Sequence, residues 1–310
     1  MPDAEALESA RRPLDGAALA RIVSRLAAAR AVPWLHAEVA RRMAERLPVI
    51  RRTPEQVLEW GASVGGGGAE LARIYPRARR LHVEPEALAR TRPGGSWWRR
   101  MRGVWGESAP EVCGEAGVVP GAVQLLWANM VLHGAADPLA ALQAWHRALA
   151  VDGFLMFSTL GPGTLAGLRA LYAGQAWGPP MAPLVDMHDL GDMLVEAGFA
   201  DPVMDQETLT LTWPDPQAAF AELRGLGGNA HGARFAGLRT PRWQRQLSKA
   251  LAATAGPQGR VALEFEVVYG HAFKPAPRLR VASQAVISPE DLRRMARSGR
   301  QGSPGGGDAS

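Results

Sequence analysis

The sequence predicts an α/β protein built on a mostly parallel sheet with helices on both faces. Three observations carry this expectation. From Gln56 to Thr159, short apolar runs alternate with stretches of helical periodicity, the pattern of successive βαβ units. The first run, 57–60, opens directly into a glycine-rich turn, 61–68, and then into a helical pattern. The second run, 80–83, ends on Glu84, roughly 20 residues after the turn, where such folds place an acid for a ribose.

The elements follow in order. Asp15 is placed to cap a helix over 16–31, with Leu19, Ile22, Val23 and Leu26 at helical spacing. Pro33 separates it from a second helix over 34–46, and Arg51-Arg52-Thr53-Pro54 reads as a linker turn. Strands are expected at 57–60, 80–83, 104–105, 123–127 and 154–159, with helices at 67–74, 86–91, 138–149, 163–174 and 186–197. Beyond these, 203–213 reads as extended and 215–226 and 241–254 as helices. Val261, Leu263, Phe265, Val267 and Tyr269 recur at period two, the pattern of a strand over 261–273. Three segments result: an N-terminal helical segment 1–50, a domain 51–275 with a helical insertion near 214–256, and a polar tail 283–310 expected to be disordered.

Composition sets the outer limits. The 310 residues are 47% apolar and 21% charged, with a formal net charge of +5, so the chain is globular and its excess charge suits an acidic partner. The lone cysteine, Cys113, excludes an intrachain disulfide framework and a multi-cysteine zinc site. No apolar run reaches the roughly 20 residues of a membrane span, and the acidic start is unlike a secretory signal, so the cytoplasm is expected. No metal, nucleic acid or membrane partner is expected, and the chain is read as a monomer.

The glycine-rich turn carries the chemistry. Glycines let a backbone approach a ligand closely, and the helix that follows presents unpaired N–H groups. The segment Glu59-Trp60-Gly61-Ala62-Ser63-Val64-Gly65 is nearer to E/D-x-G-x-G-x-G than to the dinucleotide fingerprint G-x-G-x-x-G, and no Gly-Lys-Ser/Thr phosphate loop is present. A methyltransferase type of site, taking S-adenosylmethionine, is the reading this favours.

Farther along stand Leu126-Trp127-Ala128-Asn129-Met130-Val131-Leu132-His133, Phe157-Ser158-Thr159-Leu160-Gly161-Pro162-Gly163-Thr164-Leu165 and Asp186-Met187-His188-Asp189-Leu190. Leu223-Arg224-Gly225-Leu226-Gly227-Gly228-Asn229 and Glu266-Val267-Val268-Tyr269-Gly270-His271-Ala272 complete the set. Together, over about 30–275, these blocks resemble the malonyl-acyl carrier protein O-methyltransferases of biotin synthesis. The resemblance implies a Rossmann-like class I methyltransferase: a seven-stranded sheet in the order 3-2-1-4-5-7-6, its last strand antiparallel, with a helical insertion over the site. It implies S-adenosylmethionine as cofactor and a malonyl group on acyl carrier protein as acceptor. Glu59, Gly61, Ser63 and Gly65 would then lie under the methionine and ribose, Glu84 would hold the ribose diol, and Asn129 would lie near the methionine or the reacting carbon.

The chain departs from that family's pattern at several places. Ser63 replaces the central glycine, Glu59 the usual Asp, Trp60 a small apolar residue, and Gln124 a common Asp; for the adenine-binding acid only Glu111 and Glu115 offer themselves. For the acceptor, Arg239 and His133 are the candidates to meet the carboxylate. Trp97-Trp98 suit a channel wall, and Arg99, Arg100, Arg278 and Arg280 suit carrier contacts. No side chain is assigned as catalytic acid or base. Two alternatives stay open: a binding or assembly protein with weakened catalysis, and a relative of the arginine hydroxylase of complex I assembly.

Overall fold

A computed structural model describes residues 12–29, 31–85, 89, 110–256 and 258–277. Contacts group Met1–Pro275 as one unit and Ala276–Ser310 as another, and every element named here belongs to the first. The helix expected at 86–91, the strand at 104–105, Trp97-Trp98, Arg99, Arg100, Arg278, Arg280 and the tail from 283 lie outside the described residues.

Two helices lead, α1 (Gly16–Ala28) and α2 (Trp34–Arg46). The sheet begins with β1 (Gln56–Trp60), followed by one helical turn, α3 (Ala62–Gly65), then α4 (Gly68–Ile74) and β2 (Arg79–Val83). Next come β3 (Glu111–Cys113), β4 (Val123–Ala128), α5 (Pro138–Ala148) and β5 (Leu149–Leu160). The chain continues through α6 (Ala166–Gly174), α7 (Met187–Glu196), β6 (Ala200–Trp213), α8 (Pro216–Gly225), α9 (Pro241–Ala252) and β7 (Val261–Phe273). The caps are local: Asp15, Asp137, Asp186, Asp215 and Thr240 each accept a first-turn N–H, and proline opens α5, α8 and α9.

The seven strands form one sheet in the order β3-β2-β1-β4-β5-β7-β6. Neighbours from β3 to β5 are parallel, and β7 runs antiparallel to both β5 and β6. Successive strand residues point to opposite faces, which builds two cores. Leu125, Trp127, Phe154 and Met156 pack with α2, α4, α6, α8 and α9 on one side. Leu126, Ala128, Leu155 and Phe157 pack with α5 and α7 on the other. Leu35, Val39 and Met43 of α2 belong to the first core, so the N-terminal segment shares the sheet's interior.

Three elements differ from expectation for identifiable reasons. The edge strand β3 spans only Glu111–Cys113, too short to show a period of two. The helix expected from 163 begins at Ala166, because residues 161–165 wrap the side chain of Glu266 on β7. A Cβ on Gly161 or Gly163 would stand 2.0 or 2.5 Å from the Glu266 carboxylate oxygens. Strand β5 starts at Leu149 rather than 154, through a turn in which Asp152 takes a positive φ of 63°.

Gly270 of β7 faces Phe157 of β5 in the antiparallel pair, and a Cβ there would meet the buried ring at 2.2 Å. Overpacking of this kind costs about 1–3 kcal/mol. Gly270→Ala is therefore expected to lower the unfolding free energy by that amount, read as a lower urea midpoint at unchanged slope. An unaltered midpoint shows that the ring moves aside freely.

Candidate functional site

The carboxyl ends of parallel strands are where open α/β sheets bind ligands. Here the ends of β1, β2 and β4 meet one cavity of about 1010 Å³. The turn after β1 forms its floor. Gly61 takes φ 67°, donates its N–H to Val83 O at 2.7 Å, and leaves no space for a side chain, since a Cβ would stand 2.8 Å from Val131 Cγ1. Gly65 is constrained from the other side, where a Cβ would stand 2.2 Å from the carbonyl oxygen of Asn129.

Glu84 follows β2 and is 2% exposed. Its carboxylate accepts from the Ser63 N–H at 2.7 Å and from the Ser63 hydroxyl at 2.6 Å. A carboxylate has about four acceptor sites, so two remain for a diol at the cavity wall. Glu59, also buried, accepts from His82 Nε2 at 3.0 Å and lies against Gly68 at the start of α4. Gln124 stands at the opposite end of its strand, where its side-chain oxygen accepts from Gln56 N at 2.8 Å. Its replacement of an acid therefore bears on the β1–β4 junction rather than on the ligand edge. Glu111 is likewise removed from the cavity, in the body of β3 and paired with Arg79. Glu115, beyond the end of β3, lines the cavity.

Asn129, expected near the methionine or the reacting carbon, has its side chain engaged within the protein. Its side-chain amide donates to His36 O at 2.9 Å and to Gly65 O at 2.5 Å, and its oxygen accepts from Ser158 Oγ at 2.6 Å. Both donors are thereby used within the protein. Of the residues expected to hold the cofactor, Gly61 and Glu84 line the cavity, while Glu59, Ser63, Gly65 and Asn129 lie behind them.

Two histidines stand at the same wall. His36 of α2 is buried and donates from Nδ1 to Val64 O at 2.8 Å, and burial lowers its pKa. His133 faces it with ring centroids 6.4 Å apart, and its buried Nδ1 has no hydrogen-bond partner. Burial, then the nearby His36 and Arg12, push His133 down to about 3. His36 was not singled out in the sequence because a histidine on an apolar helical face reads as core.

Arg239, from the loop before α9, reaches the cavity as expected. Its guanidinium stacks 3.9 Å over the Phe235 ring and 4.5 Å over the Trp243 ring and donates to the carbonyl of Trp177. Tyr172, Trp177 and Trp243 meet edge to face around it, at centroid distances of 5.5 to 6.1 Å. The side opposite the glycine turn is closed by residues 12–15. Arg12 donates to the carbonyls of His133, Ala135 and Pro183, while Asp15 N donates to Ala230 O at 2.8 Å and Gly232 N to Pro13 O at 2.8 Å.

The depressed pKa of His133 has a stability consequence. Between the ordinary 6.5 and about 3, the unfolded chain takes up a proton that the folded one refuses. The contribution is fully present above pH 6.5 and is lost as pH falls through that window. His133→Gln is expected to flatten the fall of unfolding free energy between pH 6.5 and 4. An unchanged slope would place the histidine in solvent.

Comparisons with known proteins give the family and the fold. A malonyl-acyl carrier protein O-methyltransferase of Gallionella capsiferriformans is 38% identical over 260 residues, 82% of this chain and 88% of that protein. One of Laribacter hongkongensis is 39% identical over 253 residues, 79% of this chain and 84% of that protein. Among solved structures, the YcgJ protein of Bacillus subtilis aligns with a TM-score of 0.50 at 12% identity, covering 78% of this chain and 100% of that one. No family model matches. At this level of identity, over most of both lengths, the chain belongs to the malonyl-acyl carrier protein O-methyltransferase family.

Proposed function

We propose that the protein transfers a methyl group from S-adenosylmethionine to the free carboxylate of a malonyl thioester on an acyl carrier protein, in cytoplasmic biotin synthesis. The observation that carries this reading is that one cavity joins two unlike walls. One wall has Gly61, the Glu84 carboxylate and, beside the glycine turn, His133; the other has Arg239 with its aromatic partners. At about 1010 Å³ the cavity stands at the upper end of the roughly 300–1,000 Å³ that ligand pockets span.

The residues fit the cofactor. Gly61 brings bare backbone to the cavity, and Glu84 keeps free acceptor sites for a ribose diol. Ser63 spends its hydroxyl on Glu84, so the serine that replaces a glycine orients the acid and does not fill the cradle. When bound, S-adenosylmethionine supplies an electrophilic methyl group that a carboxylate oxygen takes by displacement at carbon.

The acceptor carboxylate is already ionised at neutral pH, so no general base is required. What the protein supplies is position and the exclusion of water. Arg239 has N–H donors left after its bond to Trp177 and offers a planar fork to the carboxylate. His133 lines the same cavity beside the glycine turn. Held neutral by burial, the two histidines place no further cation beside a sulfonium. Residues 12–15, α1 and the insertion form a cap over both substrates.

The direct test is transfer of labelled methyl from S-adenosylmethionine to malonyl-acyl carrier protein, and no transfer refutes the reading. Hydrogen bonds to charged groups are worth about 1.5–3 kcal/mol, or roughly 10- to 100-fold. Glu84→Gln is expected to weaken cofactor binding by that factor in calorimetry, with the acceptor KM little changed. Arg239→Lys is expected to do the reverse, raising the acceptor KM. Identical effects of both changes on both substrates would contradict the two-wall assignment.

A further inference from the structure

The cavity mouth holds two arginines that the reaction does not use. Arg25 stands in the last turn of α1 and Arg224 in the last turn of α8, and both line the cavity while remaining exposed. The two helix ends converge because Gly227 and Gly228, at φ 140° and 144°, let the turn after α8 close on α1. A Cβ on Gly227 would stand 3.2 Å from Ile22, and one on Gly228 would stand 3.7 Å from the Arg25 guanidinium. Arg25 donates to the Arg224 carbonyl at 3.2 Å, which aims it along the rim and leaves four of its five donors free. Asn229 fixes the same turn by donating to Pro179 O at 2.7 Å.

Neither arginine has an acidic partner among the described residues. Of the other arginines on the cavity wall, Arg12 is spent on backbone carbonyls, and Arg239 is the group assigned to the acceptor carboxylate. Arg147 stands on α5, against the opposite face of the sheet. Helix C-termini favour cations, which explains why these two positions tolerate arginine but leaves their charge unanswered. The same cavity is also lined by the apolar side chains of Leu223, Leu226 and Leu247.

Two arginines at the rim, apolar lining and Arg239 in one cavity offer the three chemistries that an acyl-pantetheine arm presents: phosphate, linear chain and malonyl carboxylate. We propose that Arg25 and Arg224 form a phosphate subsite at the cavity mouth, which takes the phosphate at the head of a pantetheine arm as the thioester enters. The inference rests on the proposed acceptor, and it concerns a different part of the ligand from the reacting carboxylate. Arginine forks hold phosphate oxygens in charge-assisted pairs, so the subsite would discriminate a phosphorylated arm from a bare one.

Calorimetric titration with 4′-phosphopantetheine and with pantetheine tests this without any methyl transfer. The phosphorylated arm is expected to bind about tenfold or more tightly to the unaltered protein. In the double variant Arg25→Ala/Arg224→Ala the two affinities are expected to become equal, with pantetheine binding unchanged. Equal affinities in the unaltered protein overturn the proposal, as does a preference that survives in the variant. A variant that weakens only malonyl-carrier protein, with no change toward either arm, also overturns it and assigns the arginines to the carrier's surface. Methyl transfer to the malonyl thioesters is followed in parallel. Absence of transfer alongside a phosphate preference removes the proposed reaction and leaves the subsite standing.

Discussion

The site depends on a single buried amide. Asn129 lies at the end of the central strand β4 and ties together the glycine turn, through Gly65, the N-terminal helix α2, through His36, and the neighbouring strand β5, through Ser158. A buried polar network of this kind is stabilising only when every member is satisfied, and here both amide donors and the oxygen have partners. The bare backbone of Gly65 exists to let the Asn129 carbonyl pass at contact distance. The cofactor floor is thus placed by a side chain that need not touch the cofactor.

From that anchor the rest of the cavity is assembled in layers. The parallel strands place Gly61 and Glu84 side by side, and Ser63 holds the Glu84 carboxylate by two hydrogen bonds. The substituted glycine motif is therefore coherent: the extra hydroxyl is absorbed by the acid whose orientation it sets. Above this floor the cap is built from chain segments far apart in sequence. Residues 12–15 hydrogen-bond to 230–232, and Asp15 pairs with Arg234 at 2.7 Å, so the N-terminus and the insertion close the cavity together.

The family's sequence blocks acquire physical reasons in this arrangement. Gly161 and Gly163 leave room for the carboxylate of Glu266, and Thr164 exchanges hydrogen bonds with the Glu266 backbone, which locks the turn after β5 to β7. Gly227 and Gly228 allow α8 and α1 to meet, and Gly270 gives the Phe157 ring its place. These blocks build the frame of the site, whereas Arg239 and His133 line the cavity itself.

Much of this was legible in the chain itself. Alternating apolar runs, the caps at Asp15, Asp137, Asp186 and Asp215, and the separation of the glycine turn from Glu84 are local signals, so they determine the element order, the class I methyltransferase fold and the ligand edge. His133 closes one of the recognisable blocks and Arg239 stands in the insertion between two others, so both could be named as lining candidates from the sequence. The short strand β3 was not, since three residues carry no period. Nor was the partnership of Ser63 with Glu84, the inward turn of Asn129, or the meeting of His36 with His133, each of which joins residues more than 20 positions apart. Spacing along the chain determined which strands and turns form and which edge binds. Only tertiary packing decided which polar side chains face the cavity and which are consumed in holding it, because a buried donor is committed by the partner the fold brings to it.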